Sequence, residues 1–224
     1  MRQHLLIDAD DTLWENNIYF EQAIHQFQIF LNHSSLQPAE IRAVLNEVEH
    51  EMGYGSVNFT KSLLETYQRL TERAISEEDL AQVRGFGEAI RLHPMEVITG
   101  VQETLDYLAP HHQLILLTKG DQEEQVLKIE NSGLAPYFEH LLVVAEKDQM
   151  AYQKVIQDFQ FNRSLAWMIG NSPRSDINPA LAAGLNAVYI PHQHTWQMEM
   201  QDVQHNGDGR LLQLNKFSEL REYF

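Results

Sequence analysis

The sequence predicts an α/β fold, a doubly wound parallel sheet of the Rossmann-like kind that carries an all-helical second domain. Short apolar segments alternate with helical patterns along most of the chain, which is typical of parallel sheets covered by helices. Between residues 15 and 95 the apolar residues follow helical spacing instead. The simplest organisation is therefore a core formed by residues 1–14 and 96–224, interrupted by a helical domain formed by residues 15–95.

Five brief apolar segments are the predicted strands, and most are separated by a helical pattern. They cover residues 5–7, 113–118, 141–145, 165–170 and 187–190. A helix is expected over 122–132, because Gly133 follows as a left-handed terminator. A second helix is expected after Asp176, with Gly184 at its end.

The interrupting block predicts four helices. Ile41, Val44, Leu45 and Val48 show one helical face. Pro38 suits the first turn of a helix, and the segment 76–79 resembles a capping box. The glycines of segment 53–55 interrupt the helical pattern, so this segment is either a helix–helix turn or a loop that gates a substrate.

Composition excludes several classes of function. The 224 residues have a formal net charge of −16, which disfavours binding to nucleic acid or to a membrane surface. There is no cysteine, so disulfides, thiolate nucleophiles and cysteine-bound metals are excluded. No apolar run approaches the roughly 20 residues that span a bilayer, and no signal peptide is recognisable. We expect a cytoplasmic protein whose oligomeric state the sequence leaves open.

Polar residues follow the ends of four predicted strands. Asp8 and Asp10 are two residues apart and share a face, Thr118 ends another strand, and Lys147 follows a third. The segment 170–176, Gly-Asn-Ser-Pro-Arg-Ser-Asp, ends a fourth. An isolated Asp-x-Asp is usually a solvated turn. Open α/β sheets bind ligands at the carboxyl ends of their strands, so the four strand ends together predict one site.

With these motifs in this order, the chain resembles the haloacid dehalogenase-like hydrolase superfamily. The resemblance rests on Leu-Leu-Ile-Asp-Ala-Asp-Asp-Thr-Leu at 5–13, Leu-Leu-Thr-Lys-Gly at 116–120, Glu-Lys-Asp at 146–148 and the 170–176 segment. The long gap between the first two motifs resembles the subgroup with a helical cap inserted after the first motif. An α/β core with a helical cap is the fold that this resemblance implies.

The resemblance also implies catalytic roles. Asp8 would be the nucleophile that forms an aspartyl-phosphate, and Asp10 would protonate the leaving alkoxide and then activate water. Asp8 should then be ionised and Asp10 neutral in the first step. Thr118 and Lys147 would hold the transferring phosphoryl group. Lys119 is the rival phosphate-binding lysine, because the third motif of relatives often reads Lys-Pro and Lys147 is followed by Asp148.

The same resemblance implies a Mg²⁺ cofactor. Asp8, Asp176 and the backbone carbonyl of Asp10 would be its ligands, as in the family. Two carboxylates and a phosphomonoester sum to a charge of about −4, which one lysine does not offset. Asn171 stands where many relatives carry an aspartate, which predicts a metal shell with less negative charge and weaker affinity.

The expected activity is Mg²⁺-dependent hydrolysis of a small phosphomonoester such as a sugar phosphate or a nucleotide. Haloacid dehalogenation is the alternative, although dehalogenating relatives characteristically lack the second aspartate, here Asp10. A phosphoacceptor module or a phosphomutase would use the same chemistry without net hydrolysis. For His192 and His194 we expect solvated loop positions, and for Trp196 an anchor of the C-terminal tail.

Overall fold

The computed structural model describes residues 2–204 and 209–224. In this part of the chain a six-stranded sheet has the order β3-β2-β1-β4-β5-β6, and every neighbouring pair is parallel. The strands are β1 (His4–Ile7), β2 (Gln113–Lys119), β3 (His140–Val144), β4 (Ala166–Gly170), β5 (Asn186–Tyr189) and β6 (Leu211–Gln213). The predicted α/β class is thereby confirmed.

The five strands expected from the sequence are all present, with ends that differ by one residue or so. The sixth strand, β6, was not predicted, because it has only three residues and none of them is fully buried. It pairs with β5 at the edge of the sheet. A strand this short carries no readable apolar pattern, so only its partner strand reveals it.

Both faces of the sheet are covered, as the near-continuous apolar strands require. Leu5 and Ile7 belong to one buried cluster together with Leu105, whereas Leu6 belongs to a second cluster together with Tyr152. Alternate residues of a strand point to opposite faces, so β1 contributes to both cores. The covering helices are α5 (Val101–Leu108), α6 (Gln122–Ser132), α7 (Gln149–Phe159) and α8 (Asn178–Ala182).

The predicted α6 is confirmed to the residue, and Gly133 ends it with φ of +70°. Gly184, with φ of +84°, follows α8 as expected. Before α8 the chain forms a π-helical turn over Pro173–Ile177, which the sequence did not predict. Such turns occur frequently at functional sites.

The chain divides into two compact units, and Ile18–Pro94 form the smaller one. The predicted number of four helices is confirmed in the segment 17–94: α1 (Asn17–Leu31), α2 (Pro38–Met52), α3 (Ser56–Leu70) and α4 (Glu77–Leu92). These helices have their own buried cluster, which includes Phe27, Leu45 and Tyr67. No helix in the described residues is both long and apolar enough to cross a membrane.

Local signals define the ends of these helices. Pro38 is the first residue of α2, and the Ser76 hydroxyl accepts a hydrogen bond of 3.1 Å from the Asp79 amide at the start of α4. Gly53 and Gly55 both have positive φ and connect α2 to α3. Segment 53–55 is therefore a turn between two helices.

Candidate active site

The end of β1 positions the first two aspartates. The Asp8 amide donates to the Ile169 carbonyl at 2.9 Å, which extends the pairing of β1 with β4 by one residue. The chain then turns sharply, and the Leu13 amide donates to the Ala9 carbonyl at 2.8 Å. Asp11 has a left-handed φ of +59° in this turn. Asp8 therefore lies on a rigid strand end, as the sequence pattern predicts.

Lys147 joins Asp8 to Asp176. Its Nζ donates to Asp8 Oδ1 and, at 2.7 Å, to Asp176 Oδ1. All three side chains are buried, so their charges interact with little screening. Burial, followed by repulsion from Asp176, raises the pKa of Asp8 to about 7 although Lys147 opposes the change. Burial by itself lowers the pKa of Lys147, but the two carboxylates reverse this and leave the lysine firmly protonated.

The 170–176 segment holds Asp176 in one orientation. The Ser172 amide donates to Asp176 Oδ2 at 2.9 Å, while the other oxygen faces Lys147. The carboxylate packs against the bare Cα of Gly170, where a Cβ atom would lie only 2.3 Å from Asp176 Oδ2. The glycine in the fourth motif is thus required by a close approach, not by a turn.

The Thr12 hydroxyl connects Asn171 with Asp8. The Thr12 hydroxyl lies 2.9 Å from Asp8 Oδ2 and 3.3 Å from Asn171 Oδ1, and its one proton serves the shorter contact better. Asn171 Nδ2 donates to the Thr195 hydroxyl at 3.0 Å. Thr195 thereby turns the amide oxygen of Asn171 towards Thr12.

Asp10 is surrounded by hydrogen-bond donors. Lys128 Nζ lies 3.0 and 3.2 Å from its two oxygens, Gln125 Nε2 lies 3.0 Å away and Trp14 Nε1 lies 2.7 Å away. Gln125 also accepts a hydrogen bond of 3.3 Å from the Thr118 hydroxyl, so it connects the second strand end with Asp10.

These contacts favour the ionised form of Asp10 in the protein alone. Burial by itself raises the pKa of Asp10, but the Lys128 ammonium and the hydrogen bonds from Gln125 and Trp14 outweigh it, so the pKa lies below its ordinary value. The family resemblance implies an ionised Asp8 and a neutral Asp10 in the first step of the reaction. In this arrangement Asp10 is the more acidic of the two carboxyl groups. The cation that lowers its pKa, Lys128, lies on α6 and outside the motif, so the motif does not reveal it.

Lys119, the rival phosphate-binding lysine, has other partners. Its Nζ lies 2.6 Å from Glu199 Oε1 and 3.0 Å from the Ser175 hydroxyl, with Glu146 3.7 Å away. The Glu199 carboxylate neutralises its charge. Of the two lysines, Lys147 is the one in direct contact with Asp8.

A second cluster of ionisable groups lies next to the first motif. One potential ligand atom each from Asp11, Glu15 and His192 lie within 4.8 Å of one another. His192 Nε2 is 3.2 Å from Glu15 Oε2, and its Nδ1 is 3.7 Å from Asp11 Oδ1. Burial is the main reason that the pKa of Asp11 is raised to about 7. His192 lies in a loop, as expected, but its side chain is only 15% exposed and therefore not solvated.

Sequence reasoning missed four residues that position the site: Gln125, Lys128, Thr195 and Glu199. Gln125 had a usable signal, since it is a polar residue on the otherwise buried face of α6. Glu199 lies outside the four motifs of the sequence. Its contacts depend on how the chain returns after β5, which no local pattern specifies.

The fold and this site define a class of α/β enzymes in which carboxylates and a lysine meet at the carboxyl ends of parallel strands. A family model described as haloacid dehalogenase-like hydrolase matches residues 3–184. The chain therefore belongs to the haloacid dehalogenase-like hydrolase family, and the resemblance found in the sequence is confirmed. It is a hydrolase by family. No curated protein matched the sequence.

Solved structures agree with this assignment. A haloacid dehalogenase-like family hydrolase from Xanthomonas campestris is 34% identical, with a TM-score of 0.86 over 99% of this chain and 94% of its own. A Bacillus subtilis protein named as a HAD-hydrolase, YfnB, was solved bound to magnesium and is 17% identical, with a TM-score of 0.69 over 100% and 99% of the two chains. L-2-haloacid dehalogenase from Xanthobacter autotrophicus is 14% identical, with a TM-score of 0.64 over 99% and 98%. The last two likenesses establish the shared fold.

Proposed function

We propose that this hydrolase is a Mg²⁺-dependent phosphatase that hydrolyses a small phosphomonoester through an aspartyl-phosphate on Asp8. The observation that carries the proposal is Asp10, a second carboxylate two residues after the nucleophile and linked through Gln125 to Thr118. Dehalogenation needs no proton donor for its leaving halide, whereas an alkoxide needs one. The second carboxylate therefore favours a phosphomonoester over a haloacid.

Both oxygens of the Asp8 carboxylate have hydrogen-bond partners. Lys147 contacts Oδ1 and Thr12 contacts Oδ2 at 2.9 Å, which fixes the carboxylate plane. Attack by a carboxylate oxygen forms the O–P bond while the bond from phosphorus to the leaving oxygen breaks. Lys147 and Thr118 would hold the phosphoryl oxygens and so stabilise the charge that develops there.

The donor set suits a magnesium ion. The carboxylates of Asp8 and Asp176, the Asp10 backbone carbonyl and the amide oxygen of Asn171 are hard oxygen donors of the kind that Mg²⁺ prefers. Two of them are buried carboxylates that share one lysine, and Gly170 leaves room for Asp176 beside its backbone. When bound, the ion would offset the charge of the phosphate and keep Asp8 ionised.

Asp10 would move the proton in both half-reactions. In the first, its carboxyl proton passes to the leaving alkoxide, which departs as an alcohol. In the second, its carboxylate takes a proton from water while the water oxygen attacks phosphorus and the bond to Asp8 breaks. The Lys128 contact favours the carboxylate and therefore the second step. For the first step Asp10 would take up a proton from solvent, which the negative charge of a bound phosphate would favour.

The substrate we propose is a small phosphorylated metabolite rather than nucleic acid or a membrane surface. The net charge of −16 repels polyanions, whereas a single phosphate meets the local cation Lys147. A cytoplasmic location accords with the absence of cysteine. The proposed mechanism uses residues of one chain alone.

A panel of phosphomonoesters with MgCl₂ tests the proposal. We expect phosphate release from at least one ester, its loss on removal of Mg²⁺ with EDTA, and a large drop in kcat for Asp10→Asn. The same enzyme incubated with L-2-haloacids should release no halide. Halide release without phosphate release would establish the dehalogenase alternative, and a long-lived acyl phosphate after acetyl phosphate treatment would indicate a phosphoacceptor.

A further inference from the structure

The segment 192–200, which follows β5, returns to the site and bonds to several of its residues. The His194 carbonyl accepts from Asn17 Nδ2 at 2.6 Å, and the Met198 carbonyl accepts from Arg174 at 3.0 Å. Its most buried charged residue is Glu199, which is 7% exposed. A carboxylate at this depth is unfavourable unless its oxygens are well partnered.

Glu199 has partners on both oxygens. Oε1 accepts from Lys119 Nζ at 2.6 Å, and Oε2 accepts from the hydroxyls of Ser172 and Ser175 at 2.6 and 2.5 Å. Three charge-assisted hydrogen bonds of this length are strong. Burial by itself raises the pKa of Glu199, but Lys119 and the serines outweigh it, so the pKa lies below its ordinary value.

These bonds lead directly to Asp176. The Ser172 hydroxyl accepts from the Ser175 amide at 2.9 Å, which closes the turn, and the Ser172 amide donates to Asp176 Oδ2 at 2.9 Å. Glu199 therefore holds the hydroxyl of the residue whose amide orients Asp176. Outer partners of this kind typically change metal affinity by 10–100-fold when they are removed.

We propose that Glu199 is a positioning residue that fixes the 170–176 segment, and with it the orientation of Asp176 towards a divalent cation. It does so by binding both serine hydroxyls and by neutralising Lys119. This inference rests on the proposed function only in taking Asp176 as a magnesium ligand. The hydrogen bonds of the Glu199 carboxylate go to Lys119, Ser172 and Ser175, so its effect on Asp176 would pass through the serines.

The test is calorimetric titration of the full-length protein with MgCl₂. For Glu199→Gln, which keeps the shape but loses the charge, we expect the Kd for Mg²⁺ to rise about tenfold. The substrate KM at saturating Mg²⁺ should stay within about twofold, since the phosphate contacts are untouched. A role confined to folding would lower Tm without moving the Mg²⁺ affinity of the folded protein.

Glu146→Gln is the matched control, because Glu146 lies 3.7 Å from the same lysine and is half-exposed. It removes the same charge without contacting either serine, so we expect less than a twofold change in Kd. Equal changes in the two variants, or an unchanged Kd in Glu199→Gln, would overturn the proposal.

A variant that retains the carboxylate covers the case in which Glu199→Gln does not fold. Ser172→Ala removes the hydroxyl that Glu199 holds, keeps the amide that reaches Asp176, and should weaken Mg²⁺ binding in the same direction. Unchanged binding in this variant also contradicts the proposal. Wild-type protein that binds Mg²⁺ but hydrolyses no phosphomonoester refutes the proposed function alone, whereas wild type that binds no Mg²⁺ refutes both.

Discussion

Replacing Lys147 by methionine tests whether its ion pair contributes to stability as a buried pair does or as an exposed pair does. Lys147 Nζ lies 2.7 Å from Asp176 Oδ1, and both side chains are at most 2% exposed. Coulomb's law gives about 6 kcal/mol for unit charges at this distance with an effective dielectric constant of 20. Desolvation offsets part of this gain, and breaking a buried pair typically costs about 3–5 kcal/mol.

Lys147→Met should therefore lower the melting temperature by about 6–20 °C at pH 8, since each kcal/mol shifts Tm by about 2–4 °C in a protein of this size. The variant leaves Asp8 buried beside Asp176 without the shared cation that lowers its pKa, so the pKa of Asp8 rises further above its value in the unfolded chain. The loss of stability is then full above the raised pKa and shrinks as the pH falls. Scanning calorimetry at pH 8 and pH 5 measures both effects.

The control is Lys154→Met, which removes a lysine that lies 2.6 Å from Asp158 on the same protein. Both partners are at least half exposed, and exposed pairs contribute about 1 kcal/mol or less. MgCl₂ should restore part of the stability of Lys147→Met by neutralising the two carboxylates, but should not affect the difference between Lys154→Met and wild type. Equal Tm losses at pH 8 in the two variants would refute this description of Lys147.

Two further substitutions, each with a matched control, are informative. Gly170→Ala should reduce activity at least 100-fold and weaken Mg²⁺ binding, because its Cβ would lie 2.3 Å from Asp176 Oδ2. The control is Gly85→Ala in α4, where a Cβ atom meets nothing within 4 Å. This variant should retain activity, and its free energy of unfolding, measured by chemical denaturation, should rise by up to about 1 kcal/mol. Glu49→Gln should stabilise the protein by about 1–3 kcal/mol at pH 8 but not at pH 4, because burial raises the pKa of Glu49 to about 7 and its ionisation opposes folding above that pH. Glu47→Gln, exposed on the same helix, should show no such pH dependence, and a matching profile in both variants would rule out burial as the cause.

The sequence was sufficient to predict the class of fold, five of the strands and the four helices between residues 17 and 94. It was sufficient because each signal is local: apolar runs for strands, Gly133 at a helix end, Pro38 at a helix start. The three-residue β6 lacks such a signal and depends on its pairing with β5.

Some contacts of the site could likewise be predicted from the sequence, whereas others could not. The contact of Lys147 with Asp8 and Asp176 followed from strand ends that a parallel sheet places together. The environment of Asp10 did not, because Lys128 reaches it from α6, 118 positions further along the chain. The pairing of Lys119 with Glu199 also depends on a tertiary return, so sequence alone left two lysines as rivals for the phosphate.

Trapping the covalent intermediate tests the central claim most directly. The enzyme is mixed with MgCl₂ and a hydrolysed phosphomonoester, quenched in acid during turnover and reduced with borohydride, which converts an aspartyl-phosphate into homoserine. Peptide mass spectrometry should locate homoserine at position 8 in the wild type and find none in Asp8→Asn. Phosphate release without reduction at position 8, or reduction at another carboxylate, would contradict the assignment of Asp8 as the nucleophile.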